Sequence, residues 1–182
     1  MYLYKRIWLI VMMRNKYVIV LISLFTVLFV RRCQGQEFDS MLSNLYRYTV
    51  PQVKADSLNS WLHNDGQPLV LLDTRTPKEF AVSHLPTAQL VDYDRFKAKD
   101  VQHIPKDAKV VVYCSVGYRS ERIGEKLQKL GFTEVYNLYG GIFDWKNTGH
   151  QVMNPAQAPT DSVHTYNKAW SKWLQNGVRV YK

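Results

Sequence analysis

Val110, Val111, Val112 and Tyr113 form a continuous apolar run of strand length, and the run ends on Cys114. Short β-branched and aromatic runs of this kind suit a strand covered on both faces of a sheet. From Ser120 the period changes: Ile123, Leu127 and Leu130 fall on one helical face, and Gly131 follows as a stop. The pattern therefore places Cys114 where a strand hands over to a helix. Upstream, Phe38, Met41, Leu42, Leu45 and Tyr46 recur at helical spacing, and Pro51 interrupts them. Val53, Leu58, Trp61 and Leu62 predict a second helix that stops at "HNDG". "PLVLLDTR" reads as a strand ending in an acid, and "TPKEFAVSH" carries helix-start chemistry, with Thr76 as cap, Pro77 in the first turn and Glu79 close behind. A short strand at 88–91, the strand ending at Cys114, the helix 120–130, a strand at 135–138 and a short helix bearing Trp145 complete the alternation.

Strands alternating with helices predict an α/β domain with a mostly parallel sheet, and such sheets bind ligands beyond the carboxyl ends of their strands. Cys114 stands at one of those ends. After Gly149, "HQVMNPAQAPTD" has two prolines and little apolar content and reads as an extended connector. Val163, Tyr166, Trp170, Trp173 and Leu174 then share one face of an expected C-terminal amphipathic helix.

Charge changes the picture only at the amino terminus. The formal charge is +9, but Lys5, Arg6, Arg14, Lys16, Arg31 and Arg32 all precede Gln36, and no acidic residue does. The remainder carries 18 basic against 15 acidic residues, too even a balance for a nucleic-acid partner. Arg14 and Lys16, the apolar stretch from Tyr17 to Val30 and a short polar tail have the build of an export signal. The fourteen residues of this stretch make a helix of roughly 21 Å, short of a hydrocarbon core of about 30 Å. Export, to the periplasm with cleavage after Gly35, is the expectation. A membrane anchor over residues 17–30 is the alternative, since Arg31 and Arg32 oppose translocation. Once Cys33 is removed, Cys114 has no disulfide partner, and a lone thiol in an oxidising compartment calls for a chemical role.

The loop "CSVGYR" supplies one. A thiolate at Cys114 would lie beside backbone N–H groups able to turn inward and beside the positive end of the following helix, both of which favour the anion. Gly117 can take the positive φ that such a loop needs, and Arg119 adds a fixed positive charge.

The chain resembles a single-domain rhodanese of the sulfurtransferase superfamily. The resemblance covers roughly residues 53–149 and rests on three blocks in order: "LVLLDTRTPKEFAVSHLPTA", "VVVYCSVGYRS" with its Cys-x-x-Gly-x-Arg loop, and "GFTEVYNLYGGIFDW". It implies a three-layer domain with a mostly parallel central sheet flanked by helices. It also implies a mechanism in which Cys114 takes the outer sulfur of a donor such as thiosulfate as a persulfide. A thiol, cyanide or a protein cysteine then accepts that sulfur. Ser115, Val116, Gly117, Tyr118 and Arg119 would bind the substrate, with no cofactor and no metal. Ser115 and Val116 depart from members with basic residues there, which counts against thiosulfate as the natural donor. The alternative function is a non-catalytic sulfur carrier or protein-binding module. The spacing Cys-x4-Arg is one residue shorter than the Cys-x5-Arg loop of related phosphatases, so phosphate hydrolysis is not expected.

The expected organisation is a signal or anchor over 1–35, a helical extension over 36–52, the rhodanese-like domain over 53–149, a connector over 150–160 and a C-terminal helix and tail over 161–182. Asp73 with Arg75, and Glu79 with His84, are assigned to fixing the turn after the acid-ended strand rather than to catalysis. Arg122 has two readings, a source of positive potential over the pocket and a solvated helix face, and the sequence fits both equally. The five histidines are scattered without helical pairing, which gives a metal site little support.

Overall fold

The computed structural model describes residues 2–64 and 68–181. The chain divides into two compact units, residues 1–43 and 44–182. The first consists of the helix α1 (Tyr2–Leu45), whose last residues enter the second unit. Val18, Ile19, Val20, Ile22, Leu24, Phe25, Phe29 and Val30 are exposed along it. Among the described residues no helix is long and apolar enough to cross a membrane.

The second unit is built on a five-stranded, wholly parallel sheet. Its strands are β1 (Gln52–Val53), β2 (Leu69–Asp73), β3 (Gln89–Leu90), β4 (Lys109–Tyr113) and β5 (Glu134–Leu138), in the order β1-β5-β4-β2-β3. The helices are α2 (Ala55–Asn64), α3 (Pro77–Val82), α4 (Tyr118–Lys129) and α5 (Gly141–Asn147). The α/β architecture with a parallel central sheet, expected from the alternation, is present. Val53 lies on β1 rather than on the second helix, and the Asp65-Gly66 stop of that helix lies outside the described residues.

β4 is central because its residues are apolar on both faces: Val110, Val111, Val112 and Tyr113 are all fully buried. Val110 and Val112 join Leu72, Ile123, Leu127, Phe132 and Val135 in one core cluster. α3 begins as its sequence predicts. The Thr76 hydroxyl accepts from the Glu79 N–H while the Glu79 carboxylate accepts from the Thr76 N–H, a capping box that satisfies two otherwise orphaned donors.

Beyond Gly149 the structure departs from expectation. Residues 150–160 are not a plain connector: β6 (Val152–Met153) and β7 (Pro159–Thr160) pair antiparallel, and Met153 bridges to His84. The Asn154 side chain accepts from the N–H groups of Ala156 and Ala158, which closes the turn between them. Nor is 161–182 an amphipathic helix. It contains β8 (Ser162–His164) parallel to β9 (Val178–Val180), joined through a single 3-10 turn at Trp170–Trp173. β-Branched residues at both ends favour strand pairing there. Asn176 and Gly177, the latter at φ 118°, break any helix before it could reach β9.

Candidate active site

The site begins where β4 ends. Cys114 is buried, only 1% exposed, and the next turn leads into α4, whose N-cap Gly117 sits in the left-handed region at φ 92°. A Cβ at Gly117 would overlap the Tyr46 hydroxyl, so a side chain there meets both a strained backbone and a filled space.

The geometry of the loop follows from where its carbonyls go. The Cys114 carbonyl accepts from Ile142 N–H at 2.9 Å, and that of Ser115 from Phe143 N–H at 3.1 Å. The Val116 carbonyl accepts from the Tyr46 hydroxyl at 2.5 Å. The Gly117 carbonyl accepts from Glu121 N–H at 3.1 Å and from the Asn137 amide at 3.0 Å. Each of the four carbonyls thus makes its hydrogen bond to a group other than the sulfur. The Gly117 N–H donates to Cys114 Sγ at 3.1 Å. Sulfur, loop amide and the first turn of a twelve-residue helix together favour negative charge at this point.

The braces are residues that the sequence alone did not single out. Tyr46 links the loop to Gly140, whose N–H donates to the same hydroxyl at 2.9 Å. Asn137 accepts from Ser120 Oγ at 2.7 Å, which orients its amide toward Gly117. At Gly141 a Cβ would collide with the Cys114 and Ser115 backbone, so the Gly-Gly turn is what lets α5 bring its N–H groups up to the loop. The Gly-Gly pair was a visible signal, whereas Tyr46 stood out only as one position of the stripe that starts at Phe38 and Asn137 offered none.

Arg119 does not stand as an uncommitted cation. Its guanidinium donates to both Glu79 carboxylate oxygens, at 2.9 and 2.6 Å, and to Ser115 Oγ at 3.1 Å. Burial alone would raise the Glu79 acid, but the hydrogen bonds and charge of Arg119 outweigh it and hold the carboxyl at about 2. The guanidinium is pushed up in turn, against its own burial, by Glu79 and by the facing Cys114 sulfur. Ser115 Oγ donates to Glu79 Oε1 at 3.1 Å, so the carboxylate anchors the loop from below. Glu79 therefore belongs to the site as well as to the turn.

Asp73 and Arg75 form the buried ion pair expected of them, at 2.7 Å with both side chains fully buried. Arg122 is largely covered and pairs with Glu121 and Glu125, so it lies on an ion-pair network rather than on a purely solvated face.

Above Cys114 opens a pocket of about 510 Å³, lined by Ser115, Val116, Tyr118 and Arg119 of the loop together with Tyr166 and Trp170 from the C-terminal segment. The five loop residues named from the sequence lie together around the thiol, four of them on the pocket wall and Gly117 against the sulfur.

The family model described as the rhodanese-like domain matches residues 54–148. A sulfurtransferase from Allochromatium vinosum is 34% identical over 106 residues, covering 58% of this chain and 97% of its own. A tRNA uridine(34) hydroxylase from Cupriavidus taiwanensis is 36% identical over 104 residues, covering 52% of this chain and 37% of that protein. The fold is similar to that of a thiosulfate sulfurtransferase from Pseudomonas aeruginosa, with a TM-score of 0.53 at 24% identity over 58% of this chain and 20% of that one. The chain thus spans nearly all of the first relative, about a third of the second and a fifth of the third. With the family's domain matched over more than half its length and a sulfurtransferase relative spanned almost end to end, the chain belongs to the rhodanese-like family.

Proposed function

We propose that the protein is a sulfurtransferase that carries a sulfane sulfur as a persulfide on Cys114. The thiolate attacks the outer sulfur of a donor, for which thiosulfate is the simplest case. The donor's S–S bond breaks, its electron pair leaves with sulfite, and Cys114 holds the transferred sulfur as Cys–S–S⁻. An acceptor thiolate or cyanide then attacks that outer sulfur, and the Cys114 thiolate is the leaving group. No net redox equivalent is consumed and charge balances in both halves.

The observation that carries this reading is the loop itself. Its four carbonyls are tied outward and the Gly117 N–H meets Sγ at 3.1 Å. Fixed amide dipoles of this kind stabilise an anion on sulfur without reorganising as it forms. Export is proposed with it, on the basic, apolar and polar order of the first 35 residues.

The test is the intact mass of the chain after incubation with sulfane donors, with and without reductant. A reducible gain of about 32 Da, absent in Cys114→Ala, is expected. A folded protein with a free thiol that gains no sulfur from thiosulfate, benzenethiosulfonate or a glutathione persulfide refutes the transfer chemistry and leaves a binding module.

A further inference from the structure

The family match ends at residue 148, yet two walls of the pocket over Cys114 come from beyond it. Tyr166 and Trp170 reach the pocket from the stretch between β8 and β9. Tyr166 stands at φ 64°, an uncommon backbone state for a large side chain, and so it needs local restraint. The restraint is visible: Tyr166 N–H donates to His164 Nδ1 at 3.1 Å, while Thr165 N–H donates to the Val180 carbonyl at 2.6 Å on the neighbouring strand. Held in this way, the Tyr166 ring stands over the Arg119 guanidinium, 5.7 Å from centroid to Cζ, although 56% of the residue is exposed. Trp170 is fixed from its backbone by the Asn167 side chain at 3.0 Å.

Tyr93 and Tyr118 line the same pocket, so four aromatic side chains surround the approach to the thiol. The charges point the same way. Arg119 is the only basic residue among those lining the pocket, and both of its outer nitrogens are engaged by Glu79, while Asp94 adds a negative group to the wall. A dianion entering this vestibule finds no uncommitted cation among the lining residues, whereas an apolar body finds four aromatic side chains there.

Resting on the sulfur-transfer reading, we propose that the 162–180 segment makes this a site for sulfur donors with an uncharged aromatic body, which Tyr166 and Trp170 stack against while the sulfane sulfur reaches Cys114. With benzenethiosulfonate as the probe, the thiolate attacks the outer sulfur, the donor's S–S bond breaks, and benzenesulfinate leaves with the electron pair.

The experiment compares the full chain with Trp170→Ala, Tyr166→Ala and Trp170→Phe. Two quantities are read: the kcat/KM ratio of benzenethiosulfonate to thiosulfate, and the calorimetric Kd for unreactive benzenesulfinate. The ratio cancels effects on the thiol that both donors share. The alanine variants are expected to lower the ratio about tenfold and weaken sulfinate binding about fivefold, with Trp170→Phe near wild type, as loss of a stacking face predicts. A ratio and a sulfinate Kd both unmoved by the alanine variants overturn the proposal. If neither donor loads Cys114, the transfer reading fails, and the sulfinate titration still decides whether the aromatic wall binds an aryl group.

Discussion

Replacing Glu79 by Gln isolates the charge that holds Arg119. Glutamine approximates the protonated acid, keeping the shape while removing the anion. The carboxyl is held at about 2 against an ordinary 4.5, which corresponds to about 3 kcal/mol of preference for the charged form in the folded state. Both partners are well covered, at 2% and 17% side-chain exposure, so solvent screens this little. The folded-state acid is depressed, so its contribution is fully present above the unfolded value near 4.5 and is lost as pH falls toward 2. Glu79→Gln is therefore expected to lower Tm by about 6–12 °C at pH 7, taking 2–4 °C per kcal/mol for a chain of this size. At pH 3, about one unit above the folded value, wild-type Glu79 retains less than half of its advantage, and the gap between the two proteins should shrink by more than half. Thermal melts followed by circular dichroism at pH 7, 5, 4 and 3 read this directly. A gap of the same size at pH 3 as at pH 7, or a change below 2 °C at pH 7, would refute the assignment of Glu79 as the ionised partner of Arg119.

Gly117→Ala combines a left-handed backbone at φ 92° with a Cβ that overlaps the Tyr46 hydroxyl, so a loss of about 2 kcal/mol or more is expected in urea unfolding, with slower loading of Cys114. A variant as stable as wild type would show that the loop is not held in this geometry. Tyr46→Phe removes the donor to the Val116 carbonyl and the acceptor of the Gly140 N–H, leaving two buried backbone groups unpaired at a cost of about 2 kcal/mol. A cost below about 0.5 kcal/mol by the same unfolding assay would contradict it.

The parts of this fold that could be read from sequence are those whose signal is local. The change of period around Cys114 marks the β4 to α4 junction within a dozen residues, and Thr76, Pro77 and Glu79 announce the start of α3 through chemistry confined to one turn. The pairing of Arg119 with Glu79 spans 40 residues and leaves no trace in either segment, so the arginine read as an open charge and the glutamate as a turn former. Tyr46 is 70 residues from the carbonyl it holds. The C-terminal stripe misled for the opposite reason. Val163, Tyr166, Trp170 and Leu174 match a helical period, but Val163 is buried on β8, Leu174 is buried just past the 3-10 turn, and Tyr166 and Trp170 face the pocket. Strand pairing of Ser162–His164 with Val178–Val180 overrode the local preference.

The outward ties of the Cys114 loop come from Tyr46 on one side in sequence and from Asn137, Ile142 and Phe143 on the other, all outside the loop itself. Ile142 and Phe143 belong to α5, and Asn137 takes its place through the pairing of β5 in the sheet. Without these ties the Cys114 loop has nothing to hold its carbonyls away from the sulfur. The shape of the loop around sulfur is thus a property of the assembled sheet and α5, and partial unfolding that frees α5 removes two of the four outward ties in the same event that exposes Ile142, Phe143 and Trp145.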